Sequence, residues 1–172
     1  MKNLVGADVN GYLTKLEDQY ALVSKKQPLY EKPTGKNCHY QIDDCFFRFW
    51  FRFVFKYRGL IELERYEMLR EVVARDFDAF SGYALERYFL WKFAEDTSYS
   101  LMGSWWNRRG EEEIDLVCEN GLDGTLDFYE IKRDASRFDR GKLEEKVAAF
   151  FVKHPARRPS RHLVKGLSMA DM

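Results

Sequence analysis

Up to about residue 95 the apolar positions recur mostly at helical spacing, and beyond Asp96 they alternate in the manner of strands. Over residues 7–23, Val9, Tyr12, Leu13 and Leu16 mark a short amphipathic helix with an apolar exit, and Asp8 is placed to cap it. The following SKKQPLYEKPTGKNCHYQI reads as two short strands separated by a turn rich in Pro, Gly and Lys. From Asp43 the run DDCFFRFWFRFVF has almost no polar face, so as a helix it is expected to be buried nearly all round; it is too long for an ordinary strand. Arg48 and Arg52, with Asp44 one turn earlier, form a single charged strip suited to ion pairing along that helix. Gly59 breaks the pattern. Two amphipathic helices follow, over 61–77 (apolar at Leu63, Tyr66, Leu69, Val72, Val73) and 77–93 (apolar at Phe80, Ala84, Leu85, Tyr88, Phe89), and Glu86 sits beside the second apolar face.

The alternating half begins with Tyr99 to Trp106, where Gly103 allows a bulge or a close approach. A second strand runs from Glu113 to Cys118, with Ile114, Leu116 and Cys118 on one face and Glu113, Asp115 and Val117 on the other. A turn rich in Asn, Gly and Asp leads to a third strand, Thr125 to Lys132, with Leu126, Phe128, Glu130 and Lys132 on one face. Residues 142–153 read as a helix through Leu143, Val147, Phe150 and Phe151. A last strand over 161–166 and a final turn close the chain. The expected class is α/β in the α+β sense: a mixed sheet flanked by helices, in the order helix, three strands, helix, strand, with further helices and a hairpin ahead of it.

Composition narrows the picture. The 172 residues suffice for one medium domain or two small ones. The formal net charge is zero, so nucleic-acid binding would need a local basic patch. Aromatic residues make up 16% of the chain, which implies a well-filled core or a buried interface. Cys38, Cys45 and Cys118 are an odd set at no metal-like spacing; with no signal peptide in view they point to free thiols in the cytoplasm. No apolar run is long enough for a membrane span. His39, His154 and His162 are scattered and read as structural or surface residues.

Candidate chemistry lies between Trp105 and Arg133. Asp115 interrupts an apolar run, and Glu130 and Lys132 flank Ile131 at the end of another. Charges in such segments are costly unless paired, solvated or binding something. An aspartate followed by Glu-x-Lys is what a metal-dependent phosphodiesterase needs: two carboxylates for Mg²⁺ or Mn²⁺ and an ammonium for phosphate. Glu130 and Lys132, two apart on a strand, share a face. Glu113 is an additional acid beside Asp115, and Trp105 and Trp106 are placed to flank a cleft or to pack the core. The plainer alternative is a structural pair of acids with one cation.

With Glu86 on the preceding helix, Asp115 on the second strand and Glu130-x-Lys132 on the third, the order of elements resembles the PD-(D/E)XK, or restriction-endonuclease-like, nucleases. Ile114 stands where the name of that superfamily has proline. The resemblance implies that Asp115 and Glu130 bind Mg²⁺ (or Mn²⁺), that Glu86 assists them, and that Lys132 orients the attacking water and steadies the phosphate. Nearly the whole chain is similar to the C-terminal portion of a family of archaeal and bacterial AAA+ ATPases, in which a winged helix joins the ATPase to a nuclease-like domain. The matching segments are YQIDDCFFRFWFRFVF, GSWWNRRGEEEIDLV, YEIK and KGLSMADM. The resemblance divides the chain into a partial winged helix (1–42), connecting helices (43–75) and a nuclease-like domain (76–172). No GxxxxGK[ST] phosphate loop occurs, so the ATPase itself would be elsewhere, and this chain a piece or a remnant of such a protein.

DNA and an ATPase module are the implied partners, with self-association left open and no membrane. Candidate phosphate contacts are Lys25, Lys26, Lys32 and Lys36 on the hairpin, which would form the wing of a winged helix, and Arg157, Arg158 and Arg161 near the end, joined by Lys153 and Lys165. Solvated surfaces are the bland reading of both clusters. Three functions compete: a Mg²⁺-dependent nuclease-like domain acting on DNA, a non-catalytic module that docks the ATPase or another protein, and a winged-helix regulator that binds DNA.

Overall fold

A computed structural model of the chain describes residues 9–31, 37–107, 110–159 and 161–172. It divides into two compact units, Met1–Lys26 with Cys38–Val73, and Gln27–Asn37 with Ala74–Met172. Among the described residues no helix is long and apolar enough to cross a membrane.

In the first unit, α1 (Val9–Asp18) leads into an antiparallel hairpin of β1 (Val23–Lys26) and β2 (His39–Ile42), with Val23 opposite Ile42 and Lys26 opposite His39. Ser24 Oγ donates to Asp43 Oδ1 at 2.8 Å and Lys26 pairs with the same oxygen at 3.6 Å, which ties the hairpin to the chain leaving it. Asp44 then caps α2 (Cys45–Phe49) by accepting the Phe47 N–H at 2.9 Å, and the helix runs on as a π-helical turn, Trp50–Phe55. This aromatic helix is not buried all round. Phe53 is in the core, but Phe46 is 63% exposed and Trp50, Phe51 and Phe55 are exposed as well. Rings four residues apart cover one another instead: Phe46 stacks on Trp50, Phe47 on Phe51, and Phe51 meets Phe55 edge-on. These contacts remove part of the rings' apolar surface from water along the helix itself.

The break expected at Gly59 lies further on. Gly59 is inside a short helix, α3 (Arg58–Glu62), and the chain turns where Glu64 takes a positive φ of 54°. The two helices expected over 61–77 and 77–93 are one, α4 (Tyr66–Ala94). No proline or helix-stopping turn intervenes near Phe77, so the i→i−4 ladder continues through it.

The second unit holds β3 (Tyr99–Trp106), β4 (Glu113–Asn120), β5 (Leu126–Ile131), α5 (Arg140–Lys153) and β6 (His162–Leu167). The four strands form one mixed sheet in the order β3-β4-β5-β6, antiparallel up to β5, with β6 parallel to β5. The protein is thus an α+β fold. The parallel pair requires a crossover, which α5 supplies. Each face of the sheet has its own core. On one, Trp105, Ile114, Val117, Leu126 and Phe128 pack with Leu143, Val147, Phe150 and Phe151 of α5. On the other, Leu116, Cys118, Tyr129 and Ile131 pack with Leu85 and Phe89 of α4. Trp105 and Trp106 are both buried, and Trp105 packs in the core beneath α5.

These cores overturn the strict alternation expected along β4. Ile114 and Val117 share the α5 face while Leu116 faces α4. The register explains it: Gly103 pairs with Val117 but Trp105 with Ile114, two steps along β3 against three along β4. A β-bulge therefore falls at Asp115 and Leu116, and bulges re-aim the side chains around them. Gly103 serves a second purpose: a methyl there would stand 3.1 Å from Leu29 Cδ1, in the segment whose Leu29 N–H donates to Ser104 O at 2.9 Å.

Candidate active site

The site begins where the β4–β5 ladder ends. The last registered pair is Leu116 with Tyr129, and beyond it the Asp115 carboxylate takes over the work of a backbone carbonyl: its Oδ2 accepts the Ile131 N–H at 2.7 Å. The bulge makes this reach available. On β5, Glu130 follows the alternation of Leu126 and Phe128 onto the α5 side and is buried, 8% exposed. Lys132, one step past the strand, sends its ammonium back to Glu130 Oε1 at 2.8 Å and to Asp115 Oδ2 at 3.9 Å. Its backbone N–H is anchored by Leu167 O at 2.9 Å. Lys146, from α5, meets the same Glu130 Oε1 at 3.2 Å.

Environment separates the two acids. Burial pushes the Asp115 carboxyl above its usual range, against the Ile131 N–H and Lys132, which pull it down. Burial also acts on Glu130, yet the hydrogen bonds and charges of Lys132 and Lys146 outweigh it and hold that carboxyl below the usual range. For Lys132 burial opposes the ammonium, but the bond to Glu130 and the charges of Asp115, Glu130 and Glu86 raise its pKa. Glu86 on α4 is therefore within electrostatic reach of the cluster. Among the described residues no three His, Cys, Asp or Glu side chains converge as a group ready to hold a metal. Glu130 Oε2 is buried and has no hydrogen-bond partner among the described residues, an expensive arrangement for a carboxylate oxygen.

Lys146 was not legible as a site residue in the strand motif, although the sequence carried a signal. It lies three residues after Leu143 and four before Phe150, on the inward stripe of α5, where a lysine has no packing reason to be. Glu113 at the edge of β4 is exposed.

The basic residues fall elsewhere. Arg157 pairs with Glu119 at 3.3 Å and covers the Tyr30 ring at 3.7 Å, while Tyr30 donates to Glu119 Oε2 at 2.6 Å. Lys153 pairs with Glu31 at 2.5 Å and Lys165 with Asp171 at 3.9 Å. Arg158 lies over Phe151, 5.7 Å from the ring centre, and Arg161 is exposed. A hollow of about 290 Å³ lined by Arg157 and Arg158 is lined also by Glu119 and Asp123, so acids offset its arginines. Glu119 is four residues from Asp115 along β4, or roughly 13 Å at strand rise. The arginine cluster thus sits away from the Asp115–Glu130 end of the sheet. In the first unit Lys25 is exposed and Lys26 is engaged with Asp43. Lys32 and Lys36 lie outside the described residues, as does Asp8.

An uncharacterized protein of Methanocaldococcus jannaschii is 28% identical to the chain over 142 residues, covering 77% of this chain and 31% of the relative. The chain therefore spans about a third of the length of that relative. No solved structure matches. Residues 50–145, more than half of the chain and including Asp115, Glu130 and Lys132, match the model of a family described as archaeal and bacterial proteins of unknown function. The chain belongs to that family, DUF234.

Proposed function

We propose that the second unit carries a Mg²⁺-dependent phosphodiesterase site of the PD-(D/E)XK type that acts on DNA, in a protein that works with a AAA+ ATPase. The observation that carries this reading is the meeting of Asp115, Glu130 and Lys132 at one end of the sheet, with one ammonium 2.8 Å from Glu130 and 3.9 Å from Asp115. The order α4-β3-β4-β5-α5-β6, with β6 parallel to β5, supports the restriction-endonuclease-like comparison. The donor set suits Mg²⁺, which takes oxygen ligands, keeps several waters and needs only one or two carboxylates beside a substrate phosphate. Glu130 Oε2, buried and bare, is an oxygen in want of a cation.

Asp115 and Glu130 would hold the ion, assisted by Glu86, whose charge reaches Lys132. A bound Mg²⁺ supplies polarisation of a phosphoryl oxygen and a lowered pKa for water. Lys132 keeps its charge, which its surroundings favour, and presents it to phosphate or to the attacking water. The burial that raises Asp115 gives it reason to accept a cation. The test is cleavage of plasmid and single-stranded DNA with Mg²⁺ or Mn²⁺ by the wild type, Lys132→Met and Asp115→Asn. Cleavage by the wild type alone is expected, and a folded wild type that leaves every substrate intact overturns the catalytic reading.

One observation favours a second reading, a docking module without chemistry. The first unit exposes Phe46, Trp50, Phe51 and Phe55 along one helix. Under this reading calorimetry finds no divalent cation bound at Asp115 and Glu130.

A further inference from the structure

Two ammonium groups on one carboxylate oxygen, with the other oxygen bare, is a lopsided arrangement. Lys132 and Lys146 both address Glu130 Oε1, at 2.8 and 3.2 Å, and Oε2 is buried without a hydrogen-bond partner among the described residues. A carboxylate offers about four lone-pair directions, so crowding one oxygen is not forced by a shortage of acceptors. The two lysines also differ in what holds them. Lys132 is anchored just past β5 by its N–H to Leu167 O and bridges Glu130 to Asp115. Lys146 comes from the facing helix; among the described residues its ion pair is with Glu130 only, and its neighbours along the inward stripe, Leu143, Val147 and Phe150, offer it nothing polar.

Charge supplies the rest. Asp115, Glu130 and, within electrostatic reach, Glu86 face the two ammoniums. A divalent cation added to that set would leave an excess of positive charge in a half-buried site, where charges interact far more strongly than in water. The ammonium that withdraws is the less held of the two: Lys132 bridges Glu130 and Asp115, whereas among the described residues Lys146 forms an ion pair with Glu130 only. We propose that Lys146 is a placeholder cation: it occupies the divalent-metal seat at Glu130 and competes with the metal for that carboxylate. This inference rests on the metal-site reading given above and assigns Lys146 a positioning role, distinct from that of Lys132.

The test measures Mn²⁺ affinity by calorimetry on the full chain, for the wild type, Lys146→Met, Lys146→Arg and Lys146→Met combined with Asp115→Asn. Circular dichroism melts confirm that each is folded. Methionine keeps the stem and removes the charge, and is expected to tighten Mn²⁺ binding about tenfold, within the usual range of coupling between two sites. Arginine keeps the charge and is expected to bind no more tightly than the wild type. In the Lys146→Met background, Asp115→Asn is expected to abolish the gain. Unchanged or weaker Mn²⁺ binding by Lys146→Met, with the wild type binding, overturns the placeholder while leaving the metal site standing. No Mn²⁺ binding by either protein overturns both. Binding by Lys146→Met alone supports both.

Discussion

Glu130 has two lysines and needs at least one, and that redundancy has a measurable consequence. In Lys132→Met the buried carboxylate still has Lys146 at 3.2 Å; in Lys146→Met it still has Lys132 at 2.8 Å. The side chains of Lys132 and Lys146 are 35% and 25% exposed, so each ion pair lies between the surface case, worth up to about 1 kcal/mol, and the fully buried one, where removing a partner costs about 3–5 kcal/mol. Each single substitution is expected to cost about 1–1.5 kcal/mol. The double variant leaves Glu130 and Asp115 facing each other with neither ammonium, and its cost moves toward the buried limit, about 4–5 kcal/mol. The excess over the sum of the singles is about 2 kcal/mol, well above the few tenths that independent sites show. Urea unfolding followed by tryptophan fluorescence, with EDTA present so that no metal stands in for a lysine, measures all four corners of the cycle. The pH dependence adds a second check. Without the lysines, burial and the repulsion between the two carboxylates raise their folded pKa above the unfolded value, opposed at Asp115 by the Ile131 N–H, so their ionisation destabilises the fold as pH rises. The double variant's deficit is therefore expected to be larger at about pH 8 than at about pH 5. Strict additivity, or a deficit that grows on acidification, refutes the reasoning.

Other substitutions probe single contacts. Asp115→Ala loses the acceptor for the Ile131 N–H and is expected to cost about 1–2 kcal/mol in thermal denaturation, whereas Asp115→Asn keeps a carbonyl there and sheds a half-buried charge, so it should match or exceed the wild type. Gly166→Ala would place a methyl 2.4 Å from Phe138 Cγ; the aromatic ring must move, at a cost of about 1–3 kcal/mol seen as a lower urea midpoint. Burial pushes the Cys118 thiol up to about 12, so iodoacetamide at about pH 8 should label exposed Cys45 in the native protein and Cys118 only in urea, as read by mass spectrometry. Tyr30→Phe removes the 2.6 Å bond to Glu119 and should cost about 1 kcal/mol, leaving Arg157 to hold that carboxylate.

The periods along the chain determined the class of fold and most of its elements. Alternation between Tyr99 and Trp106 and between Thr125 and Lys132 marked strands that exist, the second one residue shorter at each end, and the stripe Leu143, Val147, Phe150 and Phe151 marked the helix that crosses over. The spacing of Glu130 and Lys132 was enough to put them on one face, because residues two apart in unbulged extended chain share a face. What a one-dimensional pattern cannot carry is a change of register. The extra residue in β4 moved Ile114 to the face opposite Leu116, and only the pairing partner on β3 reveals it. The aromatic helix shows the same limit: its composition demanded contact with rings, but whether those rings come from another element or from the helix itself is a tertiary matter. Lys146 is the clearest case. Its place on the inward stripe was visible, but the reason for a lysine there, a carboxylate on the facing strand, depends on packing α5 against β5. Short-range periodicity sets which way a side chain points; what it meets there is decided by elements distant in sequence.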